Sequence, residues 1–238
     1  MSNHFKKYAL LLIAGVVICS MSCKKDSKDD GGEGSGFVIE AKNVINGNDD
    51  IVTVKAIMET DDDLYDLATG KYKNGGFKIT LPTPLNNKYL LGVEEDLEEG
   101  VTVSDPNAKI GGVSYISGYD KNNHEIDLFQ CLGVASNGYW YIFYTYVDRD
   151  VAITGSYTYE DDELYETGVY DMALKKGWNV TYCMIEMIDY YTCNYIMTTE
   201  KPSNIDFNWY SRYWEYLDLP AANLRDKHFG KIYFPMNP

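Results

Sequence analysis

Acid–base and nucleophilic chemistry need a histidine or an activated thiol within reach of a partner, and this chain offers few of either. Beyond residue 22 the histidines are His124 and His228. His124 lies in Lys121-Asn122-Asn123-His124-Glu125 and His228 follows Arg225-Asp226-Lys227, both polar, surface-like settings. The one thiol–histidine pairing is Cys131 with His124, and their odd separation along one expected strand sends the two side chains to opposite faces. No Gly-x-Ser-x-Gly elbow, no Walker-type loop and no zinc-spaced cluster of cysteine and histidine occurs. The sequence therefore assigns no catalytic residue, no metal ligand and no cofactor.

Carboxylates are plentiful, in Asp61-Asp62-Asp63, Glu94-Glu95-Asp96, Glu98-Glu99, Asp148/Asp150 and Glu160-Asp161-Asp162-Glu163. Calcium takes oxygen ligands of this kind, but none of these runs follows the EF-hand spacing, and each reads as a solvated loop. Asp148-Arg149-Asp150 stands apart because it interrupts an aromatic strand, and internal pairing with Arg149 or a lysine is expected there. A two-carboxylate glycosidase stays open, because carboxylate separation is a three-dimensional quantity.

Three cysteines, Cys131, Cys183 and Cys193, lie in the body of the chain, so they cannot all pair with one another. If the expected strands 178–187 and 191–199 form a hairpin centred near Ile188, Cys183 and Cys193 stand directly opposite on one face. That makes them a candidate disulfide, although two packed thiols satisfy the same pattern. Cys131 is then left as a buried thiol.

The remaining cysteine of chemical interest is Cys23. A basic start, Lys6-Lys7, precedes an apolar run from Tyr8 to Ile18, and Ser20-Met21-Ser22-Cys23 follows. That run is too short to span a bilayer and reads as a removable signal, residues 1–22. The segment resembles the bacterial lipobox, which implies cleavage before a diacylated Cys23 and three acyl chains on the mature N-terminus. Two or more chains anchor stably where one does not, so the expected partner is the membrane, through the N-terminal lipid. Residues 24–36, Lys-Lys-Asp-Ser-Lys-Asp-Asp-Gly-Gly-Glu-Gly-Ser-Gly, have nothing apolar to bury. With Cys23 they read as a flexible tether with an r.m.s. span of roughly 20 Å. Its acids, Asp26, Asp29 and Asp30, resemble the surface-export leaders of Bacteroidetes lipoproteins, which implies the outer membrane, facing the cell surface; the alternative is a plain spacer facing the periplasm.

Cleavage takes two positive charges from a chain of formal charge −15 and leaves −17. Such acidity argues against nucleic acid, whose phosphates need a basic face. Tyrosine is abundant, 22 against 8 phenylalanines, as suits half-buried strands and wet binding faces.

The elements that must position these residues are mostly strands. Phe37–Ala41 and Ile51–Ile57 flank Asn46-Gly47, a hairpin dipeptide. Phe77-Lys78-Ile79-Thr80-Leu81 alternates strictly and stops at Pro82. Further strands are expected at 89–93, 110–118, 124–131, 139–154, 167–174, 178–187, 191–199 and 228–234. One segment argues for a helix: Phe207, Tyr210, Trp214 and Leu217 recur at helical spacing between Asn204 and Pro220. Around its axis stand Trp209, Tyr210, Tyr213 and Trp214, the candidate ligand-binding aromatics.

These elements predict an all-β domain over 37–238, a mostly antiparallel β-sandwich with one short C-terminal helix, or alternatively a β-barrel, with a two-sheet subdivision near 120–137. Residues 52–82, ending in Phe77-Lys78-Ile79-Thr80-Leu81-Pro82, resemble transthyretin-like and carboxypeptidase-regulatory-like sandwich domains, while 93–138 departs from that pattern. Tyr146-Val147-Asp148-Arg149-Asp150 and Lys176-Gly177-Trp178-Asn179 are similar to segments of Bacteroidetes lipoproteins. The expected function is a non-enzymatic binding module for a glycan or a protein. The alternatives are an envelope assembly component and a carboxylate-based hydrolase.

Overall fold

A computed structural model describes residues 36–60, 63–94, 97–160, 165–188 and 192–211. The expected signal, Cys23, the expected tether to residue 35 and the expected strand 228–234 lie outside the described residues.

The described chain is all-β. Its strands are β1 (Phe37–Ala41), β2 (Thr53–Glu59), β3 (Leu64–Lys73), β4 (Gly76–Leu81), β5 (Leu91–Gly92), β6 (Val101–Val103), β7 (Lys109–Gly112) and β8 (Tyr115–Tyr119). They continue with β9 (Glu125–Val134), β10 (Tyr139–Val147), β11 (Val151–Glu160), β12 (Tyr165–Leu174), β13 (Gly177–Met187), β14 (Thr192–Thr198) and β15 (Phe207–Ser211). They form one large sheet in the order β1-β4-β3-β2-β8-β9-β10-β13-β14-β12-β11-β6, with β15 on β9 and β5 on β7. Every strand pairing is antiparallel except β12 with β14, and the two ends, β1 and β6, do not meet, so the barrel alternative fails.

The sheet forks at its centre. β9 and β10 pair only beside their turn, Leu132–Val134 against Tyr139–Tyr141. Below that the hairpin splays, and residues 109–119 wedge into it: β8 takes the N-terminal half of β9, and β7 takes the C-terminal half of β10. At the crossing, the Val113 N–H donates to the Tyr144 carbonyl at 3.1 Å and the Ser114 N–H to the Ile57 carbonyl at 2.8 Å. The expected strand 110–118 is thus two strands serving two partners.

The fork places β10 and β13 between two cores. Ile142, Tyr144 and Tyr182 enter a core with Ile39, Val54, Ile79, Leu81, Ile116 and Phe129. Tyr141, Phe143, Cys183 and Ile185, on the opposite face, enter a second core with Val147, Ile153 and Leu174. A strand buried on both faces reads as an unbroken apolar run instead of alternating, which is what Tyr139–Val147 shows.

Three expectations are corrected. Phe207–Ser211, the start of the expected helix, is a strand: Phe207, Trp209 and Ser211 are buried with period two, opposite Gly133, Cys131 and Phe129 of β9, while Trp214 and Leu217 lie outside the described residues. The free edge of β9 offered hydrogen bonds and a core, and aromatics prefer a half-buried strand to a helix. Asn46-Gly47 makes no hairpin, because β1 pairs with β4 and β2 with β3; Asn46 takes φ 58° in a loop whose Ile45 instead bridges Tyr210. Finally, 139–154 is broken at Asp148–Asp150 into β10 and β11.

Candidate functional site

The aromatic platform expected from the sequence is not assembled. Trp209 is 3% exposed and packs edge-on to Phe77 at 4.8 Å. Tyr210 is half-buried against the second core, and Tyr213 and Trp214 lie outside the described residues. Trp140 and Trp178 are half-buried against the first core, with the Trp178 Nε1–H donating to the Pro82 carbonyl at 2.8 Å. The three described tryptophans therefore serve packing.

The candidate disulfide is also corrected. Cys183 stands opposite Met197, and Cys193 opposite Met187, because the β13–β14 turn is centred near residue 190 and not Ile188. Moving the centre by two residues shifts each partner by four. Cys183 and Cys193 are buried thiols, not bonded to each other. Burial pushes both thiols up, Cys193 to about 11, so neither is an activated nucleophile. Cys131 is fully buried in the first core.

The acids with resolved partners are engaged internally. The Arg149 guanidinium pairs with Asp148 at 3.1 Å and Asp105 at 3.3 Å, and Asp150 pairs with Lys175 at 2.8 Å. Arg149 and Lys175 hold Asp148 and Asp150 below the usual carboxylate range, and Asp105 is held there first by the Asn107 backbone N–H and then by Arg149. His124 is exposed on a turn whose Asn122 and His124 N–H groups both donate to Asp120. Among the described residues no group of three His, Cys, Asp or Glu side chains is placed to hold a metal.

Among the described residues two acids, Asp127 and Glu166, are buried. Glu166 accepts from the Tyr157 hydroxyl, and Asp127 accepts from the Ser211 hydroxyl. Tyr157 reaches Glu166 by lying across Gly168, its direct partner on β12, where a Cβ would overlap the ring. Burial raises the Glu166 carboxyl, and the tyrosine bond only partly offsets it. The two acids belong to different cores, Glu166 beside Tyr157 of the second and Asp127 on the strand face of Phe129 in the first, so they do not form a facing pair.

Two features remain that can engage a ligand. One is a chamber of about 100 Å³ at the fork, lined by Met58, Met172, Met197, Phe143 and Ile153 among others. The other is the outer face of β13-β14-β12-β11, opposite the second core. Facing residues run across it in register: Glu186, Asn194, Thr167 and Thr158 in one row, and Ile196, Val169 and Ser156 in the next, which ends at the buried Met184 of β13.

The polar row is tied together by its own side chains. Glu186 accepts from the amides of Asn137 at 2.9 Å and Asn194 at 3.1 Å, and the Thr167 hydroxyl donates to Asn194 at 2.6 Å. These bonds depress the Glu186 pKa. In the neighbouring row Val169 is 47% and Ile196 39% exposed, and Tyr165, also 39% exposed, closes the face beside Thr192. Sequence reading missed this face because it depends on the parallel β12–β14 pairing, which no hairpin pattern announces. The strand periodicities of 167–174 and 191–199 carried half of the signal, showing which residues share a face but not which strands adjoin.

Comparison with known proteins finds no matching family model, no similar curated protein and no similar solved structure.

Proposed function

We propose that this chain is a lipid-anchored, non-enzymatic binding module of the bacterial outer membrane that takes a protein partner on the outer face of β13-β14-β12-β11. The tether reading rests on the lipobox-like Ser20-Met21-Ser22-Cys23 and the acidic leader that follows it. The observation that carries the binding reading is the pairing of a pre-tied polar row, Asn137–Glu186–Asn194–Thr167, with an exposed apolar row at Val169 and Ile196. Ordered polar side chains lose little entropy on association, and adjoining exposed apolar side chains mark protein contact surfaces. An envelope assembly component would use the same face with another lipoprotein as its partner.

A glycan is the second reading. Exposed Tyr165 beside hydroxyl and amide groups favours it, whereas the burial of Trp209 weighs against it. The test compares Val169→Asp with Val52→Asp, a change at an exposed valine on the first lobe. Loss of the wild-type partner by the first variant and retention by the second are expected. Equal retention by both contradicts the assignment, and wild-type binding on a glycan array with no protein partner transfers it to the second reading.

A further inference from the structure

The chamber at the fork is separate from the face described above, and its chemistry is more selective. It lies where the end of β2, the β5–β7 pair and β10 meet the inner side of β11, β12 and β14. It exists because β7 follows β10 while β8 leaves with β9, so facing side chains diverge at that point. Three methionines, Met58, Met172 and Met197, line it, and none closes it. Methionine adapts its shape to an occupant more readily than branched side chains do.

The polar groups of the lining define what can enter. Among the described residues it contains no lysine, arginine or histidine. The deep hydroxyl, Thr145 Oγ1, is already bonded to Thr181 Oγ1 at 3.2 Å. Among the described residues, the ionisable side chain of the lining is Glu59, at the exposed last position of β2, beside Thr60 and Ser114. Its backbone N–H donates to Ser114 Oγ at 2.8 Å, which fixes that corner of the rim. Partial burial raises the Glu59 carboxyl.

We infer that the chamber binds a small aliphatic amine, its hydrocarbon end among Met58, Met172 and Met197 and its ammonium group at Glu59. An apolar cavity of about 150 Å³ admits benzene, so one of 100 Å³ takes an alkyl group of roughly four or five carbons. A carboxylate of the same length would set its charge against Glu59 with no cation in the lining to meet it. The formal charge of −15 biases approach in the same sense.

Pentylamine and pentanoate are the probes, and the full-length protein labelled with ¹³C at its methionine methyls is the target. Pentylamine should shift the Met58, Met172 and Met197 signals saturably and leave Met184, buried outside the chamber lining, unmoved. Pentanoate should bind at least tenfold more weakly. Glu59→Gln should bring the two affinities within about threefold of each other, and Leu97→Trp, at the rim, should abolish binding with the Met184 signal at its wild-type position. Absence of chamber shifts, equal affinity for the two probes in the wild type, or an unchanged preference in Glu59→Gln overturns the proposal. Glu59 is exposed, so that variant reports even if Leu97→Trp fails to fold. Loss of the amine site leaves the protein-binding face untouched, so the two readings fail separately.

Discussion

Glu166 and Glu186 are held by side-chain hydrogen bonds and respond to acid in opposite directions. Burial raises Glu166 above its unfolded value, so its native form retains a proton that the unfolded chain releases. Its contribution is present below the unfolded glutamate pKa of about 4.3 and is lost as pH rises through the higher folded value. Glu166→Gln, which can still accept from Tyr157, should therefore gain on the wild type as pH rises from 4 to 7, by no more than about 1.4 kcal/mol per pH unit. Denaturant midpoints across that range measure it, and a constant gap would contradict the buried-acid assignment. Glu186 is depressed by Asn137 and Asn194, so its bonds persist above the unfolded pKa and are lost as pH falls through the lower folded value. The Asn137 and Asn194 side-chain amide resonances should collapse toward solvent values there, and the same acid step should leave the Trp209 environment unchanged. At this scale the sequence was partly legible. Asp148-Arg149-Asp150 interrupts an aromatic run, and its internal pairing with Arg149 and Lys175 follows. Glu166 and Asp127 gave no signal, because their partners Tyr157 and Ser211 come from other strands.

At the scale of elements, β15 separates two ways of reading one segment. Helical spacing picked out Phe207, Tyr210, Trp214 and Leu217, while period two picked out Phe207, Trp209 and Ser211, and the available edge of β9 decided for the second. Trp209→Ala should cost about 3–5 kcal/mol as a core truncation. A cost below about 1 kcal/mol, ordinary for a surface position, would restore a solvent-facing aromatic at 209. Strands with strict alternation, such as Phe77–Leu81, were readable because one face alone is buried. The sequence did not announce β3 and β6: β3 is half-exposed along its length, and β6 is only three residues. The cysteine register failed for a related reason. A hairpin's centre is set by its turn, and a two-residue shift there separates Cys183 from Cys193.

For the whole molecule, the shared pair β10–β13 is what makes one body of two cores. Tyr144 and Ile153, each almost fully buried, lie in different cores joined through the same strands. Substitutions Tyr144→Leu and Ile153→Val should therefore each shift a single unfolding transition seen alike by aromatic circular dichroism and by methionine methyl signals. Two separable transitions would show that the lobes are independent. The all-β class was legible from the turn-punctuated strand runs. The fork was not, since it depends on residues 109–119 entering a hairpin whose own sequence reads as continuous. Membrane attachment belongs to this scale as well. Cys23→Ser should remove palmitate incorporation and membrane partitioning, and retention of both would void the anchor. Protease treatment of intact cells should release the domain if the leader directs it outward, whereas digestion only after lysis would place it in the periplasm.

The binding face is the central claim, and a photo-crosslinking side chain reports on it in living cells whatever protein the partner is. Placed at Val169 or Ile196 in the otherwise native full-length chain, it should give one dominant protein adduct. Placed at Val38 or Val52, equally exposed valines on the other lobe, it should give none. Adducts of the same pattern from all four positions, or none from Val169 and Ile196, would contradict the assignment of the outer face of β13-β14-β12-β11 as the surface through which this protein works.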